Sequence, residues 1–284
     1  MKEEKLVGAC WILTAVCNLK CPMCYSYLGQ GSADISKKRA IVDRLREYGL
    51  QKIMFTGGDP TIDRDLVQIV QYAKLKGFKT AISTNGILLS EALMQALDCC
   101  LDELTLPIDG SVPEIHGNHR GQDSHLDTVM RLLKQVKNYG FQTDVSTVVT
   151  RLNLGDILNI LRLVESEEIK KWKVFQYDGL MQDENTYRAL CISHAQFEEV
   201  IATVNAHKTR VSVDFRFSSP EVMRSYLSIS PLGDILLVNS NQYKKVGSVF
   251  DNRSLKEILT SNNFSFDIHT GRHIRDTKNS QQLE

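Results

Sequence analysis

The sequence has no net charge to spend. Lys plus Arg and Asp plus Glu each number 34, so the formal balance is zero. That argues against bulk electrostatic binding to nucleic acid or to an anionic membrane surface. No apolar run approaches the roughly 18–20 residues that a membrane helix needs. The opening stretch MKEEKLVGACWILTAV carries two glutamates and no small-residue cleavage site, which makes it a poor signal peptide. Only 16 residues precede Cys17, too few for an amphipathic membrane anchor before it. Repeats, Pro/Ser-rich linkers and low-complexity tracts are also missing. The seven cysteines are an odd count in a long chain, which argues against a disulfide framework and for a reduced, cytoplasmic protein.

What is present is alternation. Strand-like runs at 8–14, 52–56, 78–84, 102–109, 141–149 and 172–177 alternate with amphipathic helical patterns at 34–48, 62–76, 90–98, 124–138 and 155–165. Parallel strands covered by helices follow from that order. The expected fold class is α/β, a partial (β/α)6 TIM-like barrel spanning 1–190. A C-terminal α+β extension over 191–262 contains a helix, a strand near 211–215 and a hairpin in YLSISPLGDILLV, where PLGD supplies the turn. Residues 263–284 are polar and read as a loosely held, flexible tail.

The chemistry is carried by CNLKCPMCY, residues 17–25. Cys17, Cys21 and Cys24 are spaced C-x3-C-x2-C directly after the first strand. A structural zinc site wants four ligands, and the histidine nearest in sequence is His116. CPMC alone could serve as a redox dithiol, which leaves Cys17 idle. Three thiolates hold three irons of a [4Fe–4S] cluster and leave the fourth open to an amine and a carboxylate. S-adenosyl-L-methionine carries both groups, and an electron from the cluster would cleave it to a 5′-deoxyadenosyl radical. GGDP (57–60), STNG (83–86) and PIDG (107–110) end the next three strands, so four motifs share the rim where barrel enzymes place their chemistry.

C-x3-C-x2-C with the aromatic Tyr25 after it, followed by GGDP with Asp59 in place of the usual Glu, resembles the radical S-adenosylmethionine superfamily over roughly 8–177. The resemblance implies that Gly57, Gly58 and Asp59 bring backbone to the methionine amine. It places Ser83 and Asn85 at the ribose, Arg120 at the methionine carboxylate and the Val148 backbone at the adenine. Each has a plainer reading: GGDP and STNG as turns with Asp59 as a helix N-cap, Arg120 as a solvated loop residue in PEIHGNHRG, and Val148 as core. His116 and His119 read as loop histidines, and Cys99 and Cys100 as packing. Pro107 stands where many relatives have a serine, and no second cysteine cluster follows residue 191. The family's chemistry also needs an external electron donor such as flavodoxin or ferredoxin.

Within the superfamily, KWKVFQ (171–176), RSYLSISPLGDIL (224–236) and the SVPEIHGNHRG loop resemble the viperin-like nucleotide dehydratases. The substrate positions match less well. Cys10 and Ile12 stand where viperins place Asn and His. Lys52 matches a phosphate-contacting lysine, while Met54 replaces an asparagine. Asp144 and Ser146 stand where a lysine and an asparagine would be, and Lys171 and Lys173 keep the positive charge. The plainer reading of these two lysines is a snorkelling, solvated pair. An acidic Asp144 repels a polyphosphate, which suggests a ligand with amine or hydroxyl groups instead. Cys10, if it faces the barrel lumen, could hand a hydrogen atom to a substrate radical, with Cys191 a weaker candidate. Three classes compete: a nucleotide-modifying radical enzyme, a radical epimerase, dehydrogenase or other modifier of a peptide, sugar or natural product, and a non-catalytic iron–sulfur or zinc protein.

Overall fold

The computed structural model describes residues 6–24, 31, 33–239 and 241–272. Six βα-type units come first: β1 (Gly8–Thr14), α1 (Ile35–Glu47), β2 (Lys52–Gly57), α2 (Leu66–Leu75), β3 (Lys79–Ser83), α3 (Glu91–Leu97), β4 (Glu103–Pro107), α4 (Pro113–Arg120), α5 (His125–Gln135), β5 (Gln142–Val149), α6 (Ile157–Ser166) and β6 (Lys171–Gln176). Then follow α7 (Glu184–Leu190), α8 (His194–Ala206), β7 (Ser212–Arg216), α9 (Pro220–Met223), β8 (Ser228–Ile229), β9 (Asp234–Asn239), β10 (Gln242–Ser248) and α10 (Leu255–Thr260).

One sheet carries all the described strands in the order β10-β9-β8-β1-β2-β3-β4-β5-β6-β7. Strands β1 to β7 are parallel neighbours, β8 runs parallel to β1, and β9 and β10 add antiparallel ribbons. The sheet is therefore an open, partial barrel with β7 and β10 at its edges. The expected six-stranded barrel gains a seventh parallel strand, because SVDFR docks beside β6. The polar segment QYKKVGS, read as no element, becomes β10, and a charged edge strand suits a position that must not recruit further strands.

Strand parity sorts the residues. Trp11, Leu13, Ile53, Phe55, Ile82, Leu104, Leu106, Val145, Trp172 and Val174 point outward into one core shared with the helices. Those helices bury an apolar stripe. In α1 it is Ile41, Val42 and Leu45, and the helix starts where the Asp34 carboxylate accepts the Lys37 N–H. The alternate register, Cys10, Lys52, Thr105, Ser146, Lys173 and Arg216, faces a common cavity. A (β/α) barrel is ordinarily filled by bulky branched residues. This one sets charged and hydroxyl side chains among its apolar ones.

Part of the expected tail is packed. Phe264, Phe266 and His269 are buried. His269 Nε2 accepts the N–H of Val7 at 3.1 Å and that of Gly8 at 3.5 Å, clasping the start of β1. Residues 263–272 thus belong to the body of the fold. PEIHGNHR, read as a loop, is α4: Pro113 opens its first turn, and Gly121, with φ of 72°, ends it in the left-handed conformation.

Candidate active site

The three cysteines sit on the loop after β1, and all of them line a cavity of about 310 Å³ that opens into the barrel lumen. The loop is held by GGDP. Gly58 donates to the Thr14 carbonyl and Asp59 to the Val16 carbonyl, each at 2.8 Å. A Cβ on Gly57 would strike the Thr14 carbonyl oxygen, and one on Gly58 the Val16 carbonyl oxygen. The glycines are there because the cysteine loop lies directly on them. The N–H groups of Gly58 and Asp59 being spent on that loop, what these two can offer an amine is their carbonyls.

Asp59 does not line the cavity. It is a buried hub whose carboxylate accepts the N–H and hydroxyl of Thr61, the hydroxyl of Thr84 at 2.8 Å and the N–H of Asn85 at 2.7 Å. It caps the short 3-10 turn Pro60–Ile62 and pins the end of β3 to the end of β2. Thr84, inside the STNG motif, is a partner not anticipated beside Ser83 and Asn85. Ser83 and Asn85 both line the cavity. The Asn85 amide donates to Asn18 Oδ1 at 2.7 Å and lies 3.8 Å from Cys17 Sγ, so it touches the cysteine loop itself.

Arg120 is not solvated. Its Nε and one terminal nitrogen reach the same oxygen of Asp109, at 2.6 and 2.5 Å, and Asp109 is fully buried. Burial opposes ionisation of Asp109, and the Arg120 guanidinium more than offsets it, holding the carboxyl below the usual range. The other Asp109 oxygen accepts the Val148 N–H at 2.8 Å, and the Val148 carbonyl accepts from Asn153 at 2.9 Å. The Val148 N–H and carbonyl are thus each engaged by a buried side chain, and Val148 lines the cavity. His116 and His119 are buried rather than loop residues. Tyr25 lies outside the described residues.

Below the rim, Cys10 lines the cavity together with Lys52, Ser146 and Lys173, whereas Asp144 and Lys171 are buried outside its wall. Lys52 reaches Glu103 at 2.5 Å, and Lys79 holds the other Glu103 oxygen at 2.6 Å. Burial works against that carboxylate, but Lys52, Lys173 and Lys79 bring it down to about 2. Lys173 reaches Asp144 at 2.7 Å and the Thr105 hydroxyl at 3.1 Å. The plainer reading of Lys171 and Lys173 as a solvated pair is not met, since both are buried. Arg216 holds Asp214 at 2.6 Å, and Arg272 lies 3.8 Å over the Tyr226 ring. In four ion pairs, Lys52–Glu103, Lys173–Asp144, Arg216–Asp214 and Arg120–Asp109, the cation lines the cavity and the carboxylate does not. Among the described residues Asp178 is the one carboxylate on the wall.

Residues 11–164, just over half of the chain, match the radical SAM superfamily. This chain belongs to the radical SAM superfamily. Among its relatives, an S-adenosylmethionine-dependent nucleotide dehydratase of Flammeovirga pacifica is 30% identical over 76% of this chain and 77% of its own length. An Fe-coproporphyrin III synthase of Methanosarcina barkeri is 30% identical over 60% of this chain and 43% of the relative, so the chain spans less than half of that protein. Among solved structures, Streptococcus suis SuiB bound to S-adenosylmethionine superposes with a TM-score of 0.73 at 17% identity, covering 94% of this chain and 68% of that one, a likeness of fold.

Radical SAM enzymes use a [4Fe–4S] cluster and S-adenosylmethionine. The donor set here fits them. Three thiols on one loop share a cavity with two glycines, Asn85 and Arg120. Burial raises the Cys17 thiol and pushes Cys21 up to about 11, so both are protonated at neutral pH until iron takes the proton's place. The Gln182 side chain, unremarked in the sequence, donates to the Cys24 carbonyl and fastens the loop from the β6 side. No described helix is long and apolar enough to cross a membrane.

Proposed function

We propose that this radical SAM enzyme acts on an anionic small molecule, a nucleoside phosphate of the kind its nucleotide-dehydratase relatives are named for. When bound, the cluster and S-adenosylmethionine supply the 5′-deoxyadenosyl radical that abstracts a substrate hydrogen. The observation that carries the reading is the orientation of the ion pairs, each turning its cation to the lumen and its carboxylate behind the wall. Asp144, which in the sequence argued against a polyphosphate, is neutralised by Lys173 and withdrawn from the wall. Lys52, Lys173 and Arg216 then serve to bind phosphate oxygens, with Ser146 and Thr105 between them as hydroxyl donors. Cys17, Cys21 and Cys24 are assigned to the cluster. Gly57, Gly58, Ser83, Asn85, Arg120 and Val148 are assigned to S-adenosylmethionine.

The test is anaerobic reconstitution with iron and sulfide, followed by 5′-deoxyadenosine release with and without CTP, UTP, GTP and ATP. Stimulation by one nucleotide of about tenfold or more, a transition-state difference of about 1.4 kcal/mol, is expected, and is lost in Lys52→Met. Basal cleavage by iron-replete protein with no response to any nucleotide would overturn the reading.

A second reading is favoured by Cys10, whose thiol lines the cavity and is kept protonated by burial. In this reading the enzyme is an epimerase for a peptide, sugar or other natural product. The S–H hydrogen atom passes to a substrate radical, and the resulting thiyl is reduced by one electron from a flavodoxin- or ferredoxin-type donor and protonated from solvent. SuiB has been captured with its precursor peptide SuiA. Solvent deuterium in the product that disappears in Cys10→Ala would support it. We place either activity in a reducing cytoplasm, a reading supported by seven cysteines none of which forms a disulfide.

A further inference from the structure

His116 on α4 and His125 at the start of α5 are fully buried, and neither lines the cavity. Their rings meet at 2.7 Å, His116 Nε2 to His125 Nδ1. The Asp109 N–H donates to His116 Nδ1 at 3.0 Å, so that nitrogen carries the lone pair and the ring proton is on Nε2. His116 therefore donates to His125 Nδ1. His125 keeps its own proton on Nε2 and donates it to the Asn85 carbonyl at 2.8 Å. Every bond is satisfied by one tautomer of each neutral ring. An imidazolium at either position would set N–H against N–H.

Both ends of this pair reach residues assigned above to S-adenosylmethionine. At one end the backbone of Asp109 carries the carboxylate that holds Arg120. At the other, Asn85 extends its amide to Asn18 and to Cys17 Sγ. A continuous line of polar contacts thus joins Arg120, Asp109, His116, His125, Asn85 and the cysteine loop, crossing from β4 to β3 through two helices. The ionisable groups facing the rings are Asp109, Arg120 and His119, with Asp59 beyond Asn85.

We propose that His116 and His125 are a positioning pair that fixes the spacing between Arg120 and Asn85, and so presets the S-adenosylmethionine site before the ligand arrives. The inference rests on the reading that Arg120 and Asn85 face that ligand. Neither histidine touches it. A preset site gains affinity because less ordering remains to be done on binding.

The first measurement is made on the cluster-free chain. Nitrogen-15 spectra should show both imidazoles as Nε2–H tautomers, unchanged from pH 8 to pH 6. The second is the dissociation constant for S-adenosylmethionine in the reconstituted enzyme. His125→Leu removes both bonds and should weaken binding about tenfold, the scale of one lost buried hydrogen bond. Turnover at saturating ligand should stay within about threefold. His125→Gln keeps a donor for the Asn85 carbonyl and should recover most of the affinity. His116→Asn keeps an acceptor for the Asp109 N–H but breaks the link, and should resemble His125→Leu. It also stands in should His125→Leu fail to retain iron. Unchanged affinity in both His125→Leu and His116→Asn, or equal loss in His125→Gln and His125→Leu, would reduce the pair to packing. Arg120→Lys is the control. If it too leaves affinity unchanged, the assignment of Arg120 is what fails.

Discussion

Lys173 reaches from β6 to Asp144 on β5, placing Nζ 2.7 Å from Oδ2 with both side chains nine-tenths or more buried. Removing one member leaves the other charged in a low-dielectric wall, an effect that typically costs about 3–5 kcal/mol. Lys173→Met should therefore lose roughly that much stability in guanidinium unfolding. The double variant Lys173→Met with Asp144→Leu should recover most of it. A loss under about 1 kcal/mol in the single variant would show that water reaches the pair and that the wall is not dry.

Gly58→Ala tests whether GGDP is a seat for the cysteine loop. The added methyl meets the Val16 carbonyl and the Cys17 nitrogen, which are backbone and cannot swing aside. Overpacking of this kind costs about 1–3 kcal/mol. The informative readout is iron: the variant should fold yet retain well under half of the wild-type iron after reconstitution and desalting. Full iron retention would mean the loop can shift without losing its grip on the cluster.

Acid should destabilise the fold early. Burial holds His116 down to about 3 and His269 down to about 4, and lowers His125 in the same direction, from an ordinary value of 6.5. The unfolded chain therefore binds more protons than the folded one between those limits. The stability these rings contribute is complete above pH 6.5 and drains away as pH falls toward 4 and then 3. Melting temperature measured from pH 8 downward should be flat to about pH 6.5 and then fall. A flat profile to pH 4.5 would mean that the rings are solvated.

The strands and helices up to β6 were legible because apolar runs of strand length alternate with amphipathic helical stripes, and burial enforces both periods. The cysteine loop and GGDP were legible because chemistry fixes their spacing. α4 was not: PEIHGNHR has a glycine at its centre and no apolar stripe, and it is helical because Pro113, the Gly121 end and two buried histidines make it so. The partner of Arg120 was hidden for a different reason. Asp109 lies 11 residues away on the loop between β4 and α4, and only the fold brings them to 2.5 Å. Asp144 and Lys173 were both named from the sequence as pocket residues, but nothing in a sequence says that the two charges pair with one another. His269 sits in a polar segment with no pattern, so its clasp on β1 had no sequence signal.

That clasp makes the cysteine loop depend on residues far along the chain. β1 carries the cysteine loop, yet one of its edges stays open until Leu227 accepts the Cys10 N–H and β8 pairs with Cys10 and Trp11. Its first amides wait for His269. The strand that carries the site is thus closed by residues from the far end of the described chain. A loss of packing around His269 should therefore loosen the strand from which the three cysteines hang.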